Sequence, residues 1–404
     1  MTYVIFDVRY MKPNPGGQLD ADEIIGRDSL IADMWEVLSG RNIYMNDLRR
    51  IGKTMILSKM QSAPREGWQV SKRDFEGLRT ANEFATQVFR DALNLHSRKK
   101  QIFKRMKALL GNIDEAEILR FLKVKLSDRM FAPWKEVLTR TLADLHDTYS
   151  SGNERVVFLW DEIPMMIENI LVEEGSSRAM EVLDTLRSLG QDYSNIRFVL
   201  TGSIGIHHIL ERLRQDGYNN SPLNTFEHIV PGPLAQADAV RLAKALIEGV
   251  GIFAKDFSDV AETVAKLAGN VPFYIHRLVS RMTGIRTVSS ESIVTLLERE
   301  LCSTDNDWDF DHYRTRLTHY YSSRNDEAVA LAILDSLAVA AGGSVPLRQL
   351  LNEISSVTGG VDAEQIRSLL KRLIADHYLT RNDEGQYGFY LDIMRRWWVL
   401  DRGL

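Results

Sequence analysis

The chain has 404 residues, 26% of them charged and 44% hydrophobic, with a net charge of −5 and a single cysteine, Cys302. At ~100–200 residues per domain that length holds two or three domains with sizeable cores. One cysteine excludes an internal disulfide and points to a reducing compartment, where Cys302 is a small buried side chain or has no role.

Residues 1–22 read as an N-terminal extension. Met1-Thr2-Tyr3-Val4-Ile5-Phe6-Asp7 lacks the basic lead and long apolar region of a secretion signal, and Met11–Gly17 is irregular. The first amphipathic helix is expected over Ser29–Leu38. Arg41–Met45 follows as a short strand, and Met55–Met60 opens a helix. Between them lies Asn46-Asp47-Leu48-Arg49-Arg50-Ile51-Gly52-Lys53-Thr54, which reads as a phosphate loop for a nucleoside triphosphate. Backbone N–H groups at a helix start carry a positive dipole end and can wrap phosphates. Lys53, expected on a solvent-facing loop, would add a point charge, and the Thr54 hydroxyl would ligate Mg²⁺. Residues 47–55, from Asp47 to Met55, are thus candidate nucleotide contacts. The full motif has glycine where Asp47 stands, and Gly-Lys-Thr alone also suits an ordinary turn before a helix.

An insert follows. Arg98–Lys107 has six basic residues and no acid, and from 90 to 129 there are 11 Lys/Arg against 5 Asp/Glu. Such a helix could meet nucleic acid, an acidic partner or a second copy of the chain, or be a solvated face. Arg155-Val156-Val157-Phe158-Leu159-Trp160-Asp161-Glu162 is then a continuous apolar run ending in two carboxylates, as in a strand buried on both faces. At its carboxyl end Asp161 can hold Mg²⁺ and Glu162 can take a proton from water. Ile196–Ser203 is a second such strand. If it pairs beside the first, Thr201 or Ser203 reaches the γ-phosphate; otherwise Thr-Gly-Ser is only a turn. His207-His208 with Glu211 has the types of a metal site, but Ile204, Ile206, Ile209 and Leu210 favour a partly buried helix.

A helical lid is expected over 233–304, with Leu234, Ala239, Val240, Leu242 and Leu246 at helical spacing, then a linker at 305–325. Residues 326–404 read as a winged helix, with helices at Asp326–Ala340, Leu347–Ile354 and Ala363–His377. A hairpin of Tyr378–Thr380 and Tyr387–Tyr390 forms the wing. The third helix would bury Ile366, Leu369, Leu370, Leu373 and Ile374 and present Arg367, Lys371 and Arg372. From 324 to 404, however, 9 Lys/Arg stand against 11 Asp/Glu, which favours an intramolecular or protein-binding role over a DNA reader. Trp397 and Trp398 are expected as core or interface anchors. No apolar run reaches ~18–20 residues, so no membrane span is expected and the cytoplasm is the expected location.

Together, Ile24-Ile25-Gly26-Arg27-Asp28, the loop ending in Gly52-Lys53-Thr54, Phe158–Glu162, Thr201-Gly202-Ser203 and Gly269-Asn270-Val271-Pro272 resemble the archaeal-type ATPase family of AAA+/STAND P-loop proteins. The resemblance runs from residue 23 to 404. It implies an α/β P-loop core with a parallel sheet over 23–232, a helical lid and a C-terminal winged helix. It also implies ATP and Mg²⁺ as ligands, Gly26, Arg27 and Pro272 beside the adenine, and a sensor role for Ser203. Arg49 and Arg50 match the family's paired arginines, whereas its usual small residue is replaced by Asp47. Lys53, Glu162 and Ser203 would be catalytic, with Thr54 and Asp161 on the metal. The implied function is an ATP-hydrolysing switch or motor that rearranges its domains. The alternative is a nucleotide-gated scaffold or nucleic-acid-binding regulator with little turnover, as Asp47 would cause.

Overall fold

The computed structural model describes residues 11–95, 134–150, 152, 154–203, 205–285, 287–303, 307–321 and 324–404. The expected basic helix at 98–107 lies outside the described residues. The described residues form two units. One is an α/β unit of 28–46 and 53–231; the other takes in 1–27, 47–52 and 232–404 wherever these are described.

In the α/β unit, α1 (Asp28–Leu38), β1 (Asn42–Asn46), α2 (Lys53–Ser62), β2 (Trp68–Asp74) and α3 (Ala81–Leu95) come first. After them come α4 (Trp134–Tyr149), β3 (Arg155–Asp161), α5 (Ile163–Glu174), α6 (Ser176–Asp192), β4 (Ile196–Gly202), α7 (Ile206–Gln215) and β5 (Phe226–Ile229). The five strands make one parallel sheet in the order β2-β3-β4-β1-β5. Every residue of β1 and β4 is buried, as is β3 from Val156 onward. These runs are largely apolar because both sheet faces are covered, with Asn42, Asn46, Asp161, Arg197 and Thr201 as buried polar exceptions.

Alternate residues serve opposite faces. Tyr44, Phe158, Trp160, Phe198 and Leu200 pack with Phe84, Val88, Leu138, Ile167 and Val182. Ile43, Met45, Val157, Leu159 and Val199 pack with Met34, Leu38, Ile56 and Met60 from α1 and α2. Trp160 is the centre of the first face. Its ring lies 5.5 Å from Phe75 and 5.3 Å from Phe84, both edge-on, and 4.9 Å from Phe198. Such pairs add to the area term.

The second unit begins with an irregular lead-in that is nevertheless anchored: Met11 is buried, and the Asn14 N–H donates to His276 Nδ1 at 3.1 Å. Its helices are α8 (Gln236–Gly249), α9 (Phe257–Leu267), α10 (Pro272–Met282) and α11 (Ser290–Leu301), with a short parallel pair β6 (Phe253–Ala254) and β7 (Thr287–Val288). The stretch 305–325, expected as a linker, instead contains α12 (Asp311–Tyr320). Tyr313, Leu317 and Tyr321 recur every four residues and are buried, and Phe310 stacks on Tyr274 and Trp397 at 5.1 and 5.3 Å. A segment with that much apolar surface packs.

Next come α13 (Arg324–Ala338), β8 (Ser344–Pro346), α14 (Leu347–Val357), α15 (Ala363–Ala375), β9 (Leu379–Arg381), β10 (Gln386–Phe389) and α16 (Asp392–Arg402). The strands form an antiparallel sheet in the order β8-β10-β9. On α15, Ile366, Leu369, Leu370 and Leu373 are buried and Ile374 packs against the same core. Trp397 and Trp398 are buried, and Trp398 Nε1 donates to Asp335 at 2.8 Å. Cys302 is exposed, so the small buried side chain expected of it is not found: it caps the end of α11 rather than lying on its packed face. Among the described residues no helix is long and apolar enough to cross a membrane.

Trp160→Ala would empty the centre of the sheet's aromatic face. It should lower unfolding stability by about 3–5 kcal/mol, the usual loss for a buried aromatic cut to alanine. Urea denaturation of wild type and variant measures it, and a loss near zero would contradict the packing described.

Candidate functional site

The candidate residues fall into two sets, one in each unit. In the α/β unit, the register pairs Trp160 with Leu200 and Met45 with Thr201, so β1, β3 and β4 end side by side at their carboxyl termini. There the buried Asp161 accepts from both neighbours. Its Oδ2 takes the Thr54 hydroxyl at 2.6 Å and its Oδ1 takes the Thr201 hydroxyl. Thr54, the second residue of α2, is exposed; Lys53, the first, is only 6% exposed. The expectation of a solvent-facing Lys53 is therefore corrected. Because α2 starts at Lys53, the side chain leaves from a packed helix and not from a free loop. Thr54 and Asp161 together present hard oxygen donors at hydrogen-bond distance from each other, a donor set that suits Mg²⁺.

Glu162 caps α5 in a left-handed conformation (φ 57°) that few non-glycine residues adopt. That turn brings its carboxylate to β4, where Oε2 accepts the Ser203 N–H at 3.1 Å and the Ser203 hydroxyl at 3.0 Å. Of the two hydroxyls that end this strand, Thr201 thus goes to Asp161 and Ser203 to Glu162. Burial pushes the Glu162 carboxyl above its ordinary range, and the neighbouring Asp161 pushes the same way; Ser203 and Lys53 oppose them.

In the second unit, the loop 47–52 is tied down residue by residue. Leu48 and Ile51 are buried in that unit's core. Asp47 is 1% exposed; its Oδ1 accepts the Leu48 N–H at 2.6 Å and its Oδ2 the Gly232 N–H at 2.7 Å. Arg49 and Arg50 both reach Asp309 Oδ2, at 3.0 and 2.7 Å, and the Arg50 guanidinium lies over the Phe273 ring at 4.7 Å. Gly52 turns the chain into α2 at φ 103°, a value suited to glycine. Gly26 is also left-handed, and a Cβ there would meet Asp238 Cβ at 2.6 Å. Arg27, 4% exposed, donates to the carbonyls of Ile51 at 3.0 Å and Gly232 at 2.8 Å, and burial lowers its pKa against the pull of Asp47. Pro272 is the first residue of α10, where a missing N–H costs nothing.

Two partners were not anticipated from sequence, Gly232 and Asp309. Only the Pro231-Gly232-Pro233 punctuation could have pointed to the first, and nothing local marks the second. Met55 is part of α2, half-buried. His207 and His208 lie on α7 with Ile206, His208, Ile209 and Leu213 buried, in keeping with a packed helix. On α15, Arg372 is bound to Asp326 at 3.2 Å and to the Tyr320 carbonyl at 2.8 Å, while Arg367 pairs with Glu364, which leaves that helix a poor basic face.

The Glu162 shift has a measurable sign. Because folding raises this pKa, the associated stabilisation is complete below the ordinary glutamate range and is lost as pH rises through the raised value. Glu162→Gln cannot ionise and keeps an acceptor for Ser203. It should therefore be more stable than wild type at neutral pH, with the difference shrinking below about pH 4. Urea melts of both proteins across that range test it; a pH-independent difference would refute the assignment.

No family model matches the chain, and no curated protein matches it. Among solved structures, a Walker-type ATPase of Pyrococcus abyssi matches with a TM-score of 0.64 at 16% identity, covering 96% of this chain and 99% of that one. The ORC2 protein of Aeropyrum pernix, in its ADPNP–ADP complexes, matches at 0.47 and 13% identity, over 93% of this chain and 92% of that one. The Aeropyrum pernix ORC1 protein in complex with DNA matches at 0.39 and 13%, over 94% and 93%. Over nearly its whole length the chain has the α/β fold of a Walker-type P-loop ATPase, the fold that the sequence resemblance implied.

Proposed function

We propose that the protein binds ATP with Mg²⁺ and hydrolyses it, as an AAA+/STAND-like switch or motor that couples nucleotide state to rearrangement of its domains. One observation carries this reading: Thr54, Asp161, Glu162 and Ser203 converge, hydrogen-bonded, at the carboxyl ends of a parallel sheet. Thr54 and Asp161 would hold the Mg²⁺, which supplies charge neutralisation at the phosphates. Lys53 and the N–H groups of the contiguous loop 47–54 bind the phosphates, and Gly26, Arg27 and Pro272 border the adenine, a role taken from the family resemblance. Glu162 takes a proton from the water that attacks the γ-phosphorus. The bond to the bridging oxygen breaks, leaving ADP and inorganic phosphate. Ser203 orients Glu162 through Oε2, so we assign the proton to Oε1.

We read residues 233–304 as a lid and 326–404 as a winged helix that docks against protein, in a cytoplasmic ATPase whose partner is another protein or a second copy of itself. Nucleic acid, where bound, meets the insert 98–107 and not α15. The motive is the charge contrast between the two segments, together with the tethering of Arg372.

Lys53→Ala should abolish ATP binding in calorimetry. Because Lys53 is buried, thermal unfolding must be followed beside it; unchanged affinity in the folded variant removes the nucleotide site. Glu162→Gln should still bind ATP while turnover falls about 10²–10⁴-fold, the usual share of a general base. Phosphate release at the wild-type rate would move the base elsewhere. For nucleic acid, reversing Lys99, Lys100, Lys104 and Arg105 should flatten the salt dependence of binding more than reversing Arg367, Lys371 and Arg372. A larger loss from the α15 set would place the contact there.

A further inference from the structure

Asp47 is the residue that departs from the phosphate-loop motif, and its carboxylate is engaged within its own unit. Gly232 stands in Pro231-Gly232-Pro233, on the passage from β5 to α8, with φ at 66°. Both polar groups of this residue are held by buried charges: its N–H by Asp47 Oδ2 at 2.7 Å, its carbonyl by Arg27 Nη2 at 2.8 Å. Each charge has a second grip, on the loop itself. Asp47 Oδ1 accepts the Leu48 N–H, and Arg27 Nη2 donates to the Ile51 carbonyl. Both ends of the loop are thus fastened to one residue by an anion and a cation that are almost fully buried, where charge-assisted bonds are strong and loss of a partner is costly. The chain also passes between the two units beside these residues: after Arg27, before Asp47, after Gly52 and before Gly232.

We propose that Asp47 is a positioning residue for the phosphate loop: its carboxylate braces Leu48 and Gly232, and nucleotide affinity depends on that brace. It does not face the phosphates. The inference rests on the reading of residues 47–54 as a phosphate loop. A glycine there would satisfy the motif and leave the Leu48 and Gly232 N–H groups without this acceptor.

The test compares wild type, Asp47→Gly and Asp47→Asn by titration with Mg-ATP and by amide hydrogen exchange of the nucleotide-free protein. Asp47→Gly should speed exchange at Leu48 and Gly232 and weaken ATP binding roughly tenfold or more, as expected for losing hydrogen bonds to a charged acceptor. Asp47→Asn keeps one acceptor oxygen and should fall between. Should Asp47→Gly fail to fold, the Asn variant alone decides, by faster exchange with weaker binding or by neither. A carboxylate facing phosphate predicts the opposite, since removing its charge would tighten binding. Tighter or unchanged affinity in a folded variant, against a wild type that binds, overturns the inference and leaves the nucleotide reading intact. A wild type that binds no ATP overturns that reading and the inference with it.

Discussion

The α/β unit depends on one shared carboxylate. Asp161 offers one oxygen to Thr54 and the other to Thr201, and it can do so only where β3 and β4 pair in register and β1 delivers α2 beside them. A carboxylate this buried needs such partners, since burying an unpaired charge is costly. The same burial acts on Glu162 next door, whose carboxyl is pushed up although Ser203 donates to it twice. Two adjacent acids thus differ in character. The hydroxyls on Asp161 suit a metal position, and the raised pKa on Glu162 suits a group that exchanges protons.

In the second unit the loop's charges are answered at different depths, and depth decides what each contact contributes. Arg49 is about half exposed, so its pairing with Asp309 is worth ~0–1 kcal/mol once solvent screening is allowed for. Arg50 is better placed, with Phe273 beneath it as well as Asp309 beside it. Asp47 and Arg27 are the buried charges, each holding two backbone groups, and removing either would cost buried charge-assisted hydrogen bonds, a larger penalty than losing a surface bridge. The loop is therefore held chiefly from its two ends.

How far the sequence disclosed this follows from what each residue contacts. The strands Arg155–Asp161 and Ile196–Gly202 were legible because burial on both faces favours apolar runs, Val156–Trp160 in one and Phe198–Leu200 in the other. β2, with the sequence Trp-Gln-Val-Ser-Lys-Arg-Asp, was not anticipated, since an edge strand with a half-exposed pattern reads as polar. α12 was concealed in the same way, its Tyr313-Leu317-Tyr321 stripe lying among His, Arg and Asp. At the site, Thr54, Asp161 and Glu162 were singled out from the loop and the strand end, whereas the residues alone left Thr201 and Ser203 as alternatives. The burial of Lys53 and the hydrogen bonds of Asp47 were not legible. Gly232 and Asp309, which hold the loop, lie far along the chain; flanking prolines punctuate the first, and nothing local marks the second.

The strand order also shapes how this chain comes to be folded. β1 is made early, yet its neighbours in the sheet are β4 and β5: Ile43 pairs with Val199 on one side and Glu227 on the other. During synthesis an apolar strand must therefore wait, both edges open, until most of the α/β unit has emerged. Pairings so distant in sequence are slow to form, and open edges invite other chains. β1, though made first, is thus a late addition to the sheet, joined only after the strands that flank it have been made.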